Sequence, residues 1–177
     1  VSINAALRAQ VRMRTDSACE YCGVTEINAG GELTIDHYQP QARGGSDSLD
    51  NLVYACHRCN QYKADYWAVS STDPLLWNPC AEPSERHFLE LIDGMLYPLT
   101  PTGAFTAARL RLNRSPLAAH RLHKRSNAQE QRLLAQYRDV VALLEQVSNQ
   151  QIALIDENRA LLEEQRLLLR LLIEQIG

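Results

Sequence analysis

Several features are scarce in this sequence, and each scarcity excludes something. No run of residues approaches the ~18 consecutive apolar positions that span a bilayer, so no membrane partner is expected. Residues 1–14 carry charges with no apolar block behind them; no secretory signal is visible, and a cytoplasmic protein is expected. Basic charge is not in excess: 18 Lys and Arg stand against 21 Asp and Glu, which excludes a globally basic nucleic-acid coat. Aromatic residues make up only 6%, so a core must lean on Leu, Ala and Val. Glycine and proline are absent between Pro116 and Gly177, leaving nothing there to break a helix. What is plentiful is ordinary: a hydrophobic share of 45% is too high for a disordered chain.

Hydrophobic spacing and turn residues predict a mixed α+β chain. Ser2 can cap an amphipathic helix over residues 3–17, in which Ile3, Leu7 and Val11 recur every four positions. Residues 33–38 and 49–55 read as short strands, separated by a loop through Arg43, Gly44 and Gly45. From His57 the pattern turns helical through Asn60, Lys63 and Trp67. Residues 88–91 and 95–99, joined by Asp93 and Gly94, fit a β-hairpin. Thr100 and Pro101 open a helix ending near Leu112, and Ser115 with Pro116 opens another. The expected divisions are 1–80, 81–125 and 126–177.

Five cysteines carry the first chemical signal. Cys19 and Cys22 form one Cys-x-x-Cys pair, and Cys56 and Cys59 a second. Two intervening residues let one turn aim both sulfurs at a single ion, and four thiolates complete the tetrahedral shell that zinc prefers. Redox pairs are the competing reading, but no thioredoxin-like βαβ pattern accompanies them. His57 sits inside the second pair and reads as structural or solvent-facing, since four thiolates already fill the shell. Glu20 and Tyr21 read as knuckle surface, and Cys80 as a thiol without a partner.

The segment between the pairs holds Thr34-Ile35-Asp36-His37-Tyr38-Gln39-Pro40, then Arg43-Gly44-Gly45, then Asp50-Asn51-Leu52, and runs into Cys56-His57-Arg58-Cys59-Asn60. In order and spacing these residues, over about 19–65, resemble the HNH endonuclease family, whose ββα-metal motif is often stapled by four cysteines. The resemblance implies a metal-dependent hydrolysis of DNA phosphodiester bonds. It makes His37 the general base, a role an imidazole suits near neutral pH. It makes Asp36 and Asn60 the ligands of a catalytic divalent ion, and it gives Asn51 the task of bonding the loop backbone that holds His37. The third motif position is often His in the family and is Asn60 here, an H-N-N variant. An amide and a carboxylate oxygen suit Mg2+ or Mn2+. Arg43 and Lys63 are expected phosphate contacts. On this resemblance residues 1–80 are the zinc-stapled nuclease domain.

Charge is unevenly spread. Residues 1–80 hold six basic and nine acidic side chains, residues 81–125 seven and four, and residues 126–177 five and eight. The basic middle includes Arg109, Arg111 and Arg114, expected to track DNA phosphates, with Arg121, Lys124 and Arg125 beyond them. Residues 126–177 contain twelve leucines. Tyr137, Val140, Leu144, Val147, Gln151, Leu154, Asn158, Leu161, Gln165, Leu168 and Leu172 follow the alternating three and four spacing of a heptad seam. A parallel line runs through Leu134, Val141, Ile155, Leu162, Leu169 and Ile176. A long helix, as a coiled coil with a second copy or a partner helix, is expected. The alternative for the whole chain is a non-catalytic zinc-stapled module that binds nucleic acid or protein and assembles through that helix.

Overall fold

A computed structural model describes residues 3–176. Its elements in chain order are α1 (Ala5–Arg14), α2 (Glu26–Ala29), β1 (Thr34–His37), β2 (Leu52–Ala55), α3 (His57–Lys63), β3 (Phe88–Glu90), β4 (Leu96–Pro98), α4 (Pro101–Arg109) and α5 (Ser115–Ile176). The chain divides into two compact units, Val1–Lys124 and Arg125–Gly177. The boundary expected near residue 80 does not appear. Val11 on α1, Leu52 and Tyr54 on β2, Trp77, Phe88 and Leu110 share one buried core, so residues on both sides of position 80 pack together.

The expected elements form, most of them shorter than the sequence implies. The first helix starts later: Asn4 is its cap, accepting from the Leu7 amide at 2.7 Å, while Ser2 lies outside the described residues. It ends before residue 17 because Asp16 and Ser17 take left-handed backbone at φ 50 and 58. β1 and β2 pair antiparallel, with Asp36 opposite Val53 and His37 opposite Leu52. Residues 49–51 are turn rather than strand, since the Asn51 and Leu52 amides both bond the Ser48 carbonyl. α3 stops at Lys63, well short of Trp67, because Ala64 reverses the chain at φ 49 and ψ -145. β3 and β4 make the expected hairpin. A Cβ at Gly94, in its turn, would come within 2.5 Å of the Ala118 carbonyl oxygen, so this hairpin tip seats on α5 only because the residue is glycine. α4 stops at Arg109, short of Leu112.

α5 continues for 62 residues without a break. Residues 122–174 are all solvent-exposed, while the side chains of 175–177, Ile176 among them, lie outside the described part. No helix among the described residues is long and apolar enough to cross a membrane.

Candidate metal centre and nuclease site

The four paired cysteines converge. Cys19, Cys22, Cys56 and Cys59 are buried, and their sulfurs lie within 4.8 Å of one another. The Cys22 and Cys56 sulfurs are 3.7 Å apart. A tetrahedral ion with ~2.3 Å bonds to sulfur requires a separation of about 3.8 Å, so the quartet fits zinc. The local chain explains the convergence. The Cys19 carbonyl accepts from the Gly23 amide at 2.7 Å, closing the first knuckle, and Gly23 supplies the left-handed φ of 75. The Glu20 amide donates to the Tyr54 carbonyl at 2.8 Å, which pins that knuckle to β2. Cys56 directly follows β2 and caps α3, so Cys59 arrives one turn later.

Glu20 and Tyr21 are not knuckle surface. The Glu20 carboxylate accepts from the Tyr54 amide at 2.6 Å and pairs with Arg14 at 2.8 Å. Tyr21 is buried edge-on against Trp77. An apolar side chain between two ligand thiols can close the core as readily as face water. His57 is exposed. The Cys80 thiol is half-buried beside Arg14, and burial pushes it up to about 11.

The strands and α3 gather the other motif residues. The Asn51 amide accepts from the Gln39 amide at 2.8 Å and donates to the Gln39 and Ser46 carbonyls at 3.1 and 2.9 Å. One side chain thus ties together both ends of the loop between β1 and β2. Gly45 is required inside this staple: a Cβ there would meet the Gln39 carbonyl oxygen at 1.8 Å. At the mouth of the loop the His37 Nε2 lies 2.7 Å from Asp47 Oδ1, and Gln41 donates to the same oxygen at 2.9 Å. The bond to His37 is the main cause that holds the Asp47 carboxyl below its usual range.

Asp36 faces the opposite side of β1 from His37, toward α3. Lys63 lies there, fully buried, with Nζ 3.0 Å from Asp36 Oδ2 and donating to the His37 carbonyl at 2.7 Å. The expected phosphate contact is therefore corrected: this ammonium is turned inward. Burial pushes the Asp36 carboxyl above its usual range, against the pull of Lys63. Asn60, on α3, donates through Nδ2 to Thr34 Oγ1 at 3.3 Å, and Thr34 donates on to the Ala55 carbonyl at 2.9 Å. Among the described residues that chain uses the Asn60 side-chain nitrogen and leaves its side-chain oxygen without a hydrogen bond, on the strand face that Thr34 shares with Asp36. Two hard oxygens fit Mg2+ or Mn2+ better than a thiophilic ion.

The expected phosphate-tracking arginines divide. Arg43 is exposed on the β1–β2 loop. Arg109 lies against α3, donating to the Lys63 carbonyl at 2.9 Å and stacking over Tyr66 at 4.3 Å, so it terminates a helix. Arg111 and Arg114 both sit over the Tyr62 ring. Arg121 is withdrawn from any basic surface: it is buried and donates to the Gly94 and Leu112 carbonyls. Asp47 and Thr34 are the neighbours of the motif that the sequence did not single out. The only signal for Asp47 was an acid in a loop whose ends a motif Asn could tie, and Thr34 had none beyond sharing a strand face with Asp36.

Known proteins give this geometry a class. Residues 19–65 match the family model for HNH endonuclease, and this part of the chain is an HNH domain. The chain is also 39% identical over 70 residues to a CRISPR-associated endonuclease Cas9 from Corynebacterium diphtheriae. That match covers 37% of this chain and spans only 6% of the Cas9 length. No solved structure matches.

Proposed function

We propose that the protein is a metal-dependent endonuclease that hydrolyses DNA phosphodiester bonds, with a structural zinc in the cysteine quartet and Mg2+ or Mn2+ held by Asp36 and Asn60. The observation that carries this reading is the setting of His37. Its Nε2 is tied to Asp47, which as an acceptor favours the tautomer with the proton on Nε2. Nδ1 then keeps its lone pair for a water molecule. In the reaction that water loses a proton to Nδ1 while its oxygen forms a bond to phosphorus. The bond from phosphorus to the leaving sugar oxygen breaks, and that oxygen takes a proton from solvent. The divalent ion, when bound, neutralises charge on the phosphate and the leaving oxygen. Asn51 holds the loop that carries Asp47 against the end of β1, and Asp47 keeps the imidazole from rotating. Arg43, Arg111 and Arg114 supply cations for the DNA backbone, and residues 126–177 associate with a second copy.

One observation favours a second reading. Lys63 already neutralises the Asp36 carboxylate, as would suit a domain that binds DNA or protein without cutting. Plasmid cleavage separates the two. The purified protein with Mg2+ or Mn2+ is expected to nick or linearise the plasmid, EDTA to stop it, and His37→Ala to abolish it with zinc content unchanged. Equal cleavage by His37→Ala would overturn the proposal, and plasmid binding without cleavage by the native protein would favour the second reading.

A further inference from the structure

The helix Ser115–Ile176 carries an organised face that nothing in the described chain covers. Its seam can be written as a heptad with Tyr137 at position a and Val140 at d. The d line is then Leu133, Val140, Val147, Leu154, Leu161 and Leu168. The e line is Leu134, Val141, Ser148, Ile155, Leu162 and Leu169. On a helix the a line lies between these two. From Arg132 to Glu174 every charged residue falls on b, c, f or g, and none on a, d or e. A solvated helix has no reason to keep one stripe free of charge over so many turns, so the stripe is built to be covered.

The middle of the stripe identifies what covers it. Three successive a positions are Gln151, Asn158 and Gln165, flanked by the apolar d line and by an e line that is apolar except at Ser148. Once covered, these amides lie in a dry seam, where a polar group without a partner costs heavily. Each carries both a donor and an acceptor, so its best partner is another amide. In a parallel, in-register pair of identical helices each a residue faces its own copy, so all three layers match at once. In an ordinary antiparallel coil a residues face d residues, and the amides would meet Val and Leu.

We infer that residues 133–172 form a parallel, in-register coiled coil with a second copy of this chain, locked in register by the amide layers at 151, 158 and 165. This deepens the self-association proposed above and rests on it, but not on whether the site cuts. A parallel coil tethers both HNH domains at its same end, so two sites could act on one stretch of duplex. An antiparallel coil would tether them at opposite ends.

Disulfide trapping tests this on the full-length, zinc-loaded chain with Cys80→Ser as background. Tyr137→Cys, Asn158→Cys and Leu172→Cys are made singly, oxidised mildly and run without reductant, with mass in solution measured by light scattering. A cross-linked species of twice the chain mass at position 137 or 172 is the expected result, because only a parallel register brings an end position against itself. Cross-linking at 158 but at neither end would overturn the parallel arrangement and leave self-association standing. A monomeric mass for the Cys80→Ser parent would overturn both. Leu154→Asp with Leu161→Asp should lower the mass to that of one chain with zinc content unchanged. Retention of the oligomer by that variant also counts against the proposal.

Discussion

The HNH segment and the long helix solve the problem of stability in opposite ways. Residues 19–65 form two strands of four residues each and helices of four and seven, too little surface to fold on apolar burial alone. Their order comes from side chains that each fix several groups: four thiols around one centre, Asn51 bonding three backbone groups, Lys63 holding Asp36 and the His37 carbonyl. The helix has the reverse economy. It has length and one apolar stripe, with residues 122–174 all exposed, so the self-association proposed above would supply the burial it lacks on its own. A polar staple places atoms accurately, which suits chemistry. A repeating stripe sets alignment and copy number, which suits assembly.

Removing zinc should break this contrast open most widely. Structural zinc in small sites contributes ~10 kcal/mol or more, so a strong chelator or Cys59→Ala should unfold the HNH segment. Helicity from residues 125–177 should survive, read as circular dichroism that still melts with concentration dependence. A single loss of all structure on chelation would show that the two regions fold as one.

The same contrast explains what the sequence revealed. The cysteine quartet and Asn51 were legible because their partners are either each other or backbone a few residues away. The stripe on α5 was legible because periodicity is local. Lys63, Tyr21 and Arg121 were misread outward because the direction of a side chain depends on what packs over it. The Lys63 ammonium turns in because Asp36 is buried, and Arg121 turns in to meet the carbonyls of Gly94 and Leu112. The ends of α1 and α3 ran long in the sequence because Asp16, Ser17 and Ala64 adopt positive φ without being glycine, and such strain has no compositional signal.

Lys63 offers the next sharpest test of polar stapling. Lys63→Met leaves a buried carboxylate unpaired and should cost about 3–5 kcal/mol in denaturant unfolding. Adding Asp36→Asn should recover much of that loss, because the unpaired charge is then gone. If Lys63→Met alone is neutral, the pair is not what orders the floor of the site. Asp47→Asn should behave differently. Asp47 is partly exposed, and among the described residues its carboxylate bonds Gln41 and His37. Stability should change little while cleavage falls about 10–100-fold with KM unchanged. A loss of stability without loss of cleavage would make Asp47 another staple rather than a positioning residue.

The smallest expected effect concerns acid. Glu26 accepts a two-pronged bond from Arg12, at 2.7 and 2.6 Å, and a further bond from the Tyr54 hydroxyl. These contacts, the Arg12 bond first, hold its carboxyl down to about 2. A carboxyl depressed in the folded state binds its proton more readily when unfolded. Its stabilisation is therefore present above the unfolded value of ~4.3 and is lost as pH falls toward 2. Arg12 is almost half exposed, so solvent screens the pair and the contribution is modest. Glu26→Gln should flatten the stability profile between pH 4.3 and 2 and move it little at pH 7 beyond the loss of the pair. The helical signal from residues 125–177 should be indifferent to that substitution, since the Arg12 and Tyr54 bonds of Glu26 tie α1 to β2. An equal shift of both signals would mean that acid acts on the two regions together.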